Sequence, residues 1–257
     1  MGSHFLIVCF VDKVRTLSDT KRKFYTIHTR PINSIYRRVV EELMVEMHLL
    51  SVNIDFRYDP IYALGVVTSF DRFMEGYQPE KDKESIFQAI CFAIEDEPKK
   101  YRQDAATLKT LVDKISGQDL ISWLNAPTPV DGIGDIYKQV QEIPKNSQFK
   151  YSRLFAIGLY TLLEKDNSEL FAEQKQRDEC LQKVGEALNL PAEKMLKDLE
   201  LYRGNLEKMT QVQAAIEDAL KADRKQRERR TQEKQAEEAK NDDSPSEEKA
   251  PESSEGE

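Results

Sequence analysis

Residues 59–74, DPIYALGVVTSFDRFM, carry the reading on which the fold turns. Asp59 is a helix-capping residue, and Pro60 occupies the first helical position, where its missing N–H costs nothing. The helix they open runs to about Met74, and Ile61, Tyr62, Leu64, Val66, Val67, Phe70 and Phe73 leave it apolar on most faces. A helix of that kind belongs in an interior. Gly65 in its middle costs about 1 kcal/mol against alanine, a loss that makes sense where another helix crosses closely. Gly76 and Pro79 end it. Residues 151–163, YSRLFAIGLYTLL, are apolar all round as well and predict a second, fully buried helix, with Gly158 again suited to close packing.

Outward from these two segments, helical periodicity dominates and no strand alternation of useful length occurs. Asp19 to Thr29 predicts a short helix, stopped by Arg30-Pro31. From Ile32 to Val52, Ile32, Ile35, Tyr36, Val39, Val40, Leu43, Met47 and Leu50 recur at spacings of three and four, a core-facing stripe. Val45, Leu49 and Val52 form a second patch on the opposite side, so this helix is expected to be contacted twice. Further helices are expected over Lys83 to Ile94, Lys99 to Ser116 with Gly117 as C-terminal cap, Leu120 to Leu124 and Ser168 to Leu188. Residues 125–134, NAPTPVDGIG, read as a loop.

Pro191 opens one long helix whose Met195, Leu199, Tyr202, Leu206, Met209, Ile216 and Leu220 alternate spacings of three and four, with Gln213 in one seam position. That pattern suits a coiled-coil arm or a helix docked along a bundle. Beyond Leu220 the stripe stops and a charged helical run follows to Lys240. Its RKQRERR (224–230) is interleaved with Glu and Gln and reads as solvated helix surface rather than a phosphate or lipid contact. The fold expected is all-α, a multi-helix bundle of roughly seven to nine helices. Its parts are an N-terminal extension (1–17), a helical bundle (18–190), and a long helix (191–240) packed on the bundle to about 220 and solvated beyond. An acidic, Ser- and Glu-rich tail (241–257) reads as disordered.

The chain has 257 residues, 39% hydrophobic and 33% charged, with net charge −8. Phosphate binding needs a cationic surface, so a nucleic-acid partner is not expected. Cys9, Cys91 and Cys180 are too far apart for a disulfide framework or zinc pattern, and Cys91 and Cys180 read as core residues of a protein in a reducing compartment. Met1 to His4 resemble a cloning remnant, and Phe5 to Val11 is an apolar run of seven residues, well short of the roughly 20 that span a bilayer. The expectation is a protein neither exported nor integral to a membrane.

No residue set announces chemistry. His4, His28 and His48 are too scattered for a ligand set, and neither H-E-x-x-H nor E-x-x-H nor a phosphate-binding glycine loop is present. The best carboxylate pair is Glu42 and Glu46, one turn apart between the two apolar patches of their helix. Half of a di-metal or acid/base site is one reading. The favoured one is a structural ion-paired cluster with Arg38, Arg57 or Arg72, because two unpaired buried carboxylates repel. Neither a cofactor nor a catalytic residue is expected. Lys13, Arg15, Lys21, Arg22, Lys23, Arg30, Arg37 and Arg38 face only Asp19 in their window. They form either an anionic-membrane or partner contact, at about 1 kcal/mol per cation, or a solvated face with internal ion pairs.

Residues 18–50, SDTKRKFYTIHTRPINSIYRRVVEELMVEMHLL, continuing through SVNIDFRYDPIYALGVVTSFDRFMEG (51–76), closely resemble the thylakoid formation family, also called the photosystem II biogenesis family. FKYSRLFAIGLYTLLE (149–164) is similar to its second signature, and the resemblance extends from about Leu17 to Leu220. Phe5 to Val11 is outside the family pattern. The resemblance implies an oxygenic phototroph, and the lack of a visible transit peptide points to a cyanobacterium. It implies a role in thylakoid biogenesis and in photosystem II repair through accumulation of FtsH-type membrane proteases. It brings no catalytic residue with it. The expected protein is thus a non-catalytic, peripheral factor on the cytoplasmic side of the thylakoid. Its partners would be FtsH-type protease subunits at the photosystem II-associated membrane. The alternative is an anionic-lipid-binding organiser of that membrane.

Overall fold

The structure is a computed structural model that describes residues 15–115, 117–166 and 171–241. The expectations for His4, Phe5 to Val11, Cys9, Lys13, Ser168 and the acidic tail beyond Asn241 fall outside them. Among the described residues there are ten helices and no strand. They are α1 (Leu17–Ile27), α2 (Ser34–Ser51), α3 (Pro60–Phe73), α4 (Lys81–Ala93), α5 (Pro98–Lys114), α6 (Gly117–Asn125), α7 (Ile136–Glu142), α8 (Arg153–Asp166), α9 (Gln174–Ala187) and α10 (Ala192–Asn241).

The core is the pair α3 and α8, with α5 packed against α3 and touching α8 as well. Asp59 caps α3 by accepting the Tyr62 N–H at 2.9 Å, and every residue from Pro60 to Phe70 is buried. The two glycines found in the sequence meet each other. A Cβ on Gly65 would lie 1.7 Å from the Leu154 carbonyl oxygen, and one on Gly158 would lie 1.9 Å from that of Ile61. Only bare backbone allows so close a crossing. At the far end of α3, Gly76 takes the left-handed φ of +72° that turns the chain away.

Local signals set several other helix ends. Thr16 and Asp19 make a reciprocal capping box at the start of α1, and Asn33 caps α2 by accepting from the Ile35 N–H. Asn189 takes φ +53° after α9, and Leu190 N–H then bonds the Gly185 carbonyl at 2.8 Å before Pro191 starts α10.

Four expectations are corrected. Helix α5 ends at Lys114 because Ile115 turns extended, so Gly117 opens α6 instead of capping α5. Helix α7 was not foreseen; it is one short element burying only Ile136 and Val140. The expected helix from Ser168 is broken at extended Glu173, and Phe171 just before it packs on Tyr160 with ring centroids 5.5 Å apart. The second patch of α2 stays largely uncovered, with Leu49 59% exposed, because α1 lies along the neighbouring Glu41–His48 side.

By compactness the chain divides into two units, Met1–Glu207 and Lys208–Glu257. In the second, the side chains described run to residue 233, and most are exposed. The helix there is braced by Glu217–Lys221, Asp223–Arg227, Arg224–Glu228 and Arg229–Glu233, all one turn apart.

Candidate functional site

The basic region lies on α1 and the first half of α2. Helix α1 runs antiparallel to α2, with Arg15 beside Ser51, Thr20 beside His48 and Tyr25 beside Glu41. It also runs antiparallel to α4, with Lys23 beside Glu95 and His28 beside Ser85. This arrangement brings carboxylates from elsewhere to the cations. Lys21 pairs with Glu41 at 3.1 Å, Lys23 and Arg15 share Glu95 at 3.2 and 3.0 Å, and Arg30 reaches Asp82 at 2.9 Å. Arg22 pairs with Asp19 at 2.5 Å and Arg38 with Glu42 at 2.9 Å. Arg37 is exposed and adds to the positive field on Glu41.

The electrostatics follow from these contacts. A hydrogen bond from Tyr25, then one from Lys21, holds the Glu41 carboxyl below its ordinary range. In return, burial and the bond to Glu41 push the Tyr25 hydroxyl up to about 12. The hydrogen bond from Lys23 does to Glu95 what Tyr25 does to Glu41. Most of these pairs are half exposed, where each contributes about 0–1 kcal/mol, so they neutralise the surface more than they stabilise the fold.

The acidic pair on α2 is divided between two arginines. Glu42 is 58% exposed and bonded to Arg38, whereas Glu46 is 19% exposed and receives Nη2 of Arg153 at 2.6 Å and its Nε at 3.2 Å. Of the other partners weighed, Arg57 donates instead to the carbonyls of Ile54 and Phe56, and Arg72 bonds Glu164 at 2.6 Å. Arg153 was missed, although a cation opening an otherwise apolar helix is itself a signal that a buried acid awaits it. The Arg38–Glu42 pair lies within α2, whereas the Arg153–Glu46 pair ties α2 to α8.

A second set of polar contacts escaped the sequence reading. Tyr58 donates to Asp104 at 2.7 Å, Tyr101 to Asp96 at 2.7 Å, Tyr151 to Asp198 at 2.9 Å and Tyr160 to Glu164 at 2.8 Å. Burial raises all four phenols, so they remain hydroxyl donors. Cys91 and Cys180 are buried thiols, both pushed up by burial. Among the described residues no three His, Cys, Asp or Glu side chains gather as metal ligands would.

An open cleft of about 300 Å³ lies between α3, α5 and α8, with Leu64, Thr68 and Val112 inside and the Arg72–Glu164 pair at its rim. Of the α10 seam, Met195, Leu199 and Tyr202 are buried, and Tyr202 meets Phe73 edge-on at 5.7 Å. Leu206 is half-buried and Met209 buried, while Ile216 is 38% and Leu220 65% exposed.

Comparison with known proteins gives a consistent result. The family described as thylakoid formation protein matches residues 16–231. Protein Thf1 of Nostoc sp. is 61% identical over 218 residues, which cover 85% of this chain and 94% of that one. Protein Thf1 of Picosynechococcus sp. is 58% identical over 217 residues, covering 84% and 85%. A solved structure of Psb29 superposes with a TM-score of 0.71 at 44% identity, over 83% of this chain and 98% of that one.

Proposed function

From membership of the thylakoid formation protein family, to which this chain belongs, we propose that it is a non-catalytic, peripheral factor on the cytoplasmic side of the thylakoid. It binds FtsH-type protease subunits and promotes their accumulation, and so supports photosystem II repair. The observation that carries the non-catalytic part is that the best acid/base candidates are each engaged by an arginine, Glu42 by Arg38 within α2 and Glu46 by Arg153 across to α8. Peripheral attachment accords with there being no helix, among the described residues, long and apolar enough to cross a membrane.

A tagged copy should retrieve FtsH subunits from thylakoid extracts, and deletion should lower their abundance. Retrieval of none, with abundance unchanged, ends the proposal. The lipid-binding alternative rests on Lys21, Arg22, Lys23, Arg30, Arg37 and Arg38. With five of these six paired to carboxylates, it is the weaker reading. Flotation with anionic vesicles that survives charge reversal of Lys21, Arg22 and Lys23 removes its basis.

A further inference from the structure

Two of the histidines, too scattered in sequence to ligate anything, both stand against α1. His48 on α2 is buried, and its Nδ1 lies 2.9 Å from the hydroxyl of fully buried Thr20 on α1. His28 caps the other end of α1, equally buried, with Nδ1 3.2 Å from the Ser85 hydroxyl on α4 and Nε2 buried without a hydrogen-bond partner among the described residues. Helix α1 therefore has an imidazole wedged between it and each helix it lies on.

The charged group facing His48 is Arg15, just ahead of α1, itself anchored to Ser51 on α2 and Glu95 beyond α4. Those facing His28 are Arg30, just past α1, and Asp82 on α4, whose Oδ2 already takes the Arg30 guanidinium at 2.9 Å. Each ring is thus out of water beside a fixed cation, and a proton added to either brings like charges together in a low-dielectric seam. Asp82 works against this at His28; His48 has no such compensation among the groups that face it. The apolar hold on α1 is small, with Phe24 its one fully buried large side chain.

We propose that α1 is a proton-released clamp. With His28 and His48 neutral it is seated on α2 and α4, and protonation of the two rings unseats it while the α3–α8 core stays folded. Burial, then the neighbouring arginine, depresses both imidazoles below their ordinary value. The sign follows. Above about pH 6.5 both seated and free rings are neutral and nothing is lost; below it the free form takes protons the seated form refuses, and seating weakens. The ion pairs of Glu41 and Glu95 do not titrate in this window, because their carboxyls lie below even the ordinary carboxylate range.

Hydrogen exchange on the full chain, corrected for intrinsic rates and compared between about pH 7.5 and pH 5.5, is the test. Each refused proton contributes up to about tenfold per pH unit below 6.5, so with two rings α1 amides should lose protection by up to about hundredfold. Amides of α3 should lose no protection, since the proton that its cap Asp59 takes up over this range adds to stability. The double variant His28→Gln, His48→Gln should show no such step, and His48→Gln alone a reduced one. Constant α1 protection in the wild type overturns the proposal. So does an equal step in the double variant, which would assign it to carboxylates, or simultaneous loss in α1 and α3, which would be global unfolding. Should the double variant not fold, imidazole titration by NMR on the unaltered chain decides. Either buried ring titrating at or above about 6.5 refutes the clamp.

Discussion

Gly65 and Gly158 hold the molecule at its tightest point. Replacing either by alanine drives a methyl into a carbonyl of the facing helix, at 1.7 or 1.9 Å from its oxygen. The helices must separate, at a cost of about 1–3 kcal/mol or more in denaturant unfolding. An unchanged midpoint would mean that the crossing is looser than described. Asp59 makes a second test. Burial pushes its carboxyl up to about 7 despite backbone N–H groups of Tyr62 and Ile61 that favour the charged form. A carboxyl raised in the folded state stabilises fully below its unfolded pKa of about 3.9, and that stability is lost as pH rises through 7. Asp59→Asn keeps the cap without the proton, so its stability relative to wild type should grow from about pH 4 to pH 8. A difference independent of pH would contradict the raised carboxyl. Asp59-Pro60 and the two glycines were legible because capping and close approach are written in single residues. That the glycines face each other was not, since nothing local says which helix crosses which.

Among the elements, the ties between α2 and its neighbours show why partners were harder to read than helices. The stripe of α2 declared its buried face, and Arg38 at one turn from Glu42 was legible from spacing alone. Arg153 lies 107 residues from Glu46, and only the packing of α8 on the core brings them together. Arg153→Met should destabilise by about 1–3 kcal/mol, because Glu46 keeps its charge with little water to replace the guanidinium. Adding Glu46→Gln should recover part of that loss, as coupled residues do. Strictly additive losses would mean the bridge carries nothing. Helix α7 went unread for the opposite reason: two buried positions one turn apart make no periodicity.

Across the whole molecule, the largest difference between chain and fold is charge. The segment from Lys13 to Arg38 carries eight cations against one acid, yet Glu41, Glu42, Asp82 and Glu95 come to meet the described cations from α2, α4 and the turn after it. Glu41→Gln with Glu95→Gln should therefore strengthen flotation on anionic vesicles, since each freed cation adds about 1 kcal/mol at such a surface. Unchanged flotation would show that these cations do not meet lipid. The class, the two interior helices, most helix ends and the family are legible along the chain, because periodicity, caps and long motifs are properties of contiguous residues. Packing alone makes Gly65 cross Gly158, pairs Glu46 with Arg153, and turns a basic segment into a nearly neutral face. Coulomb and contact energies depend on distance in space, and residues far apart along the chain acquire that distance only when it folds.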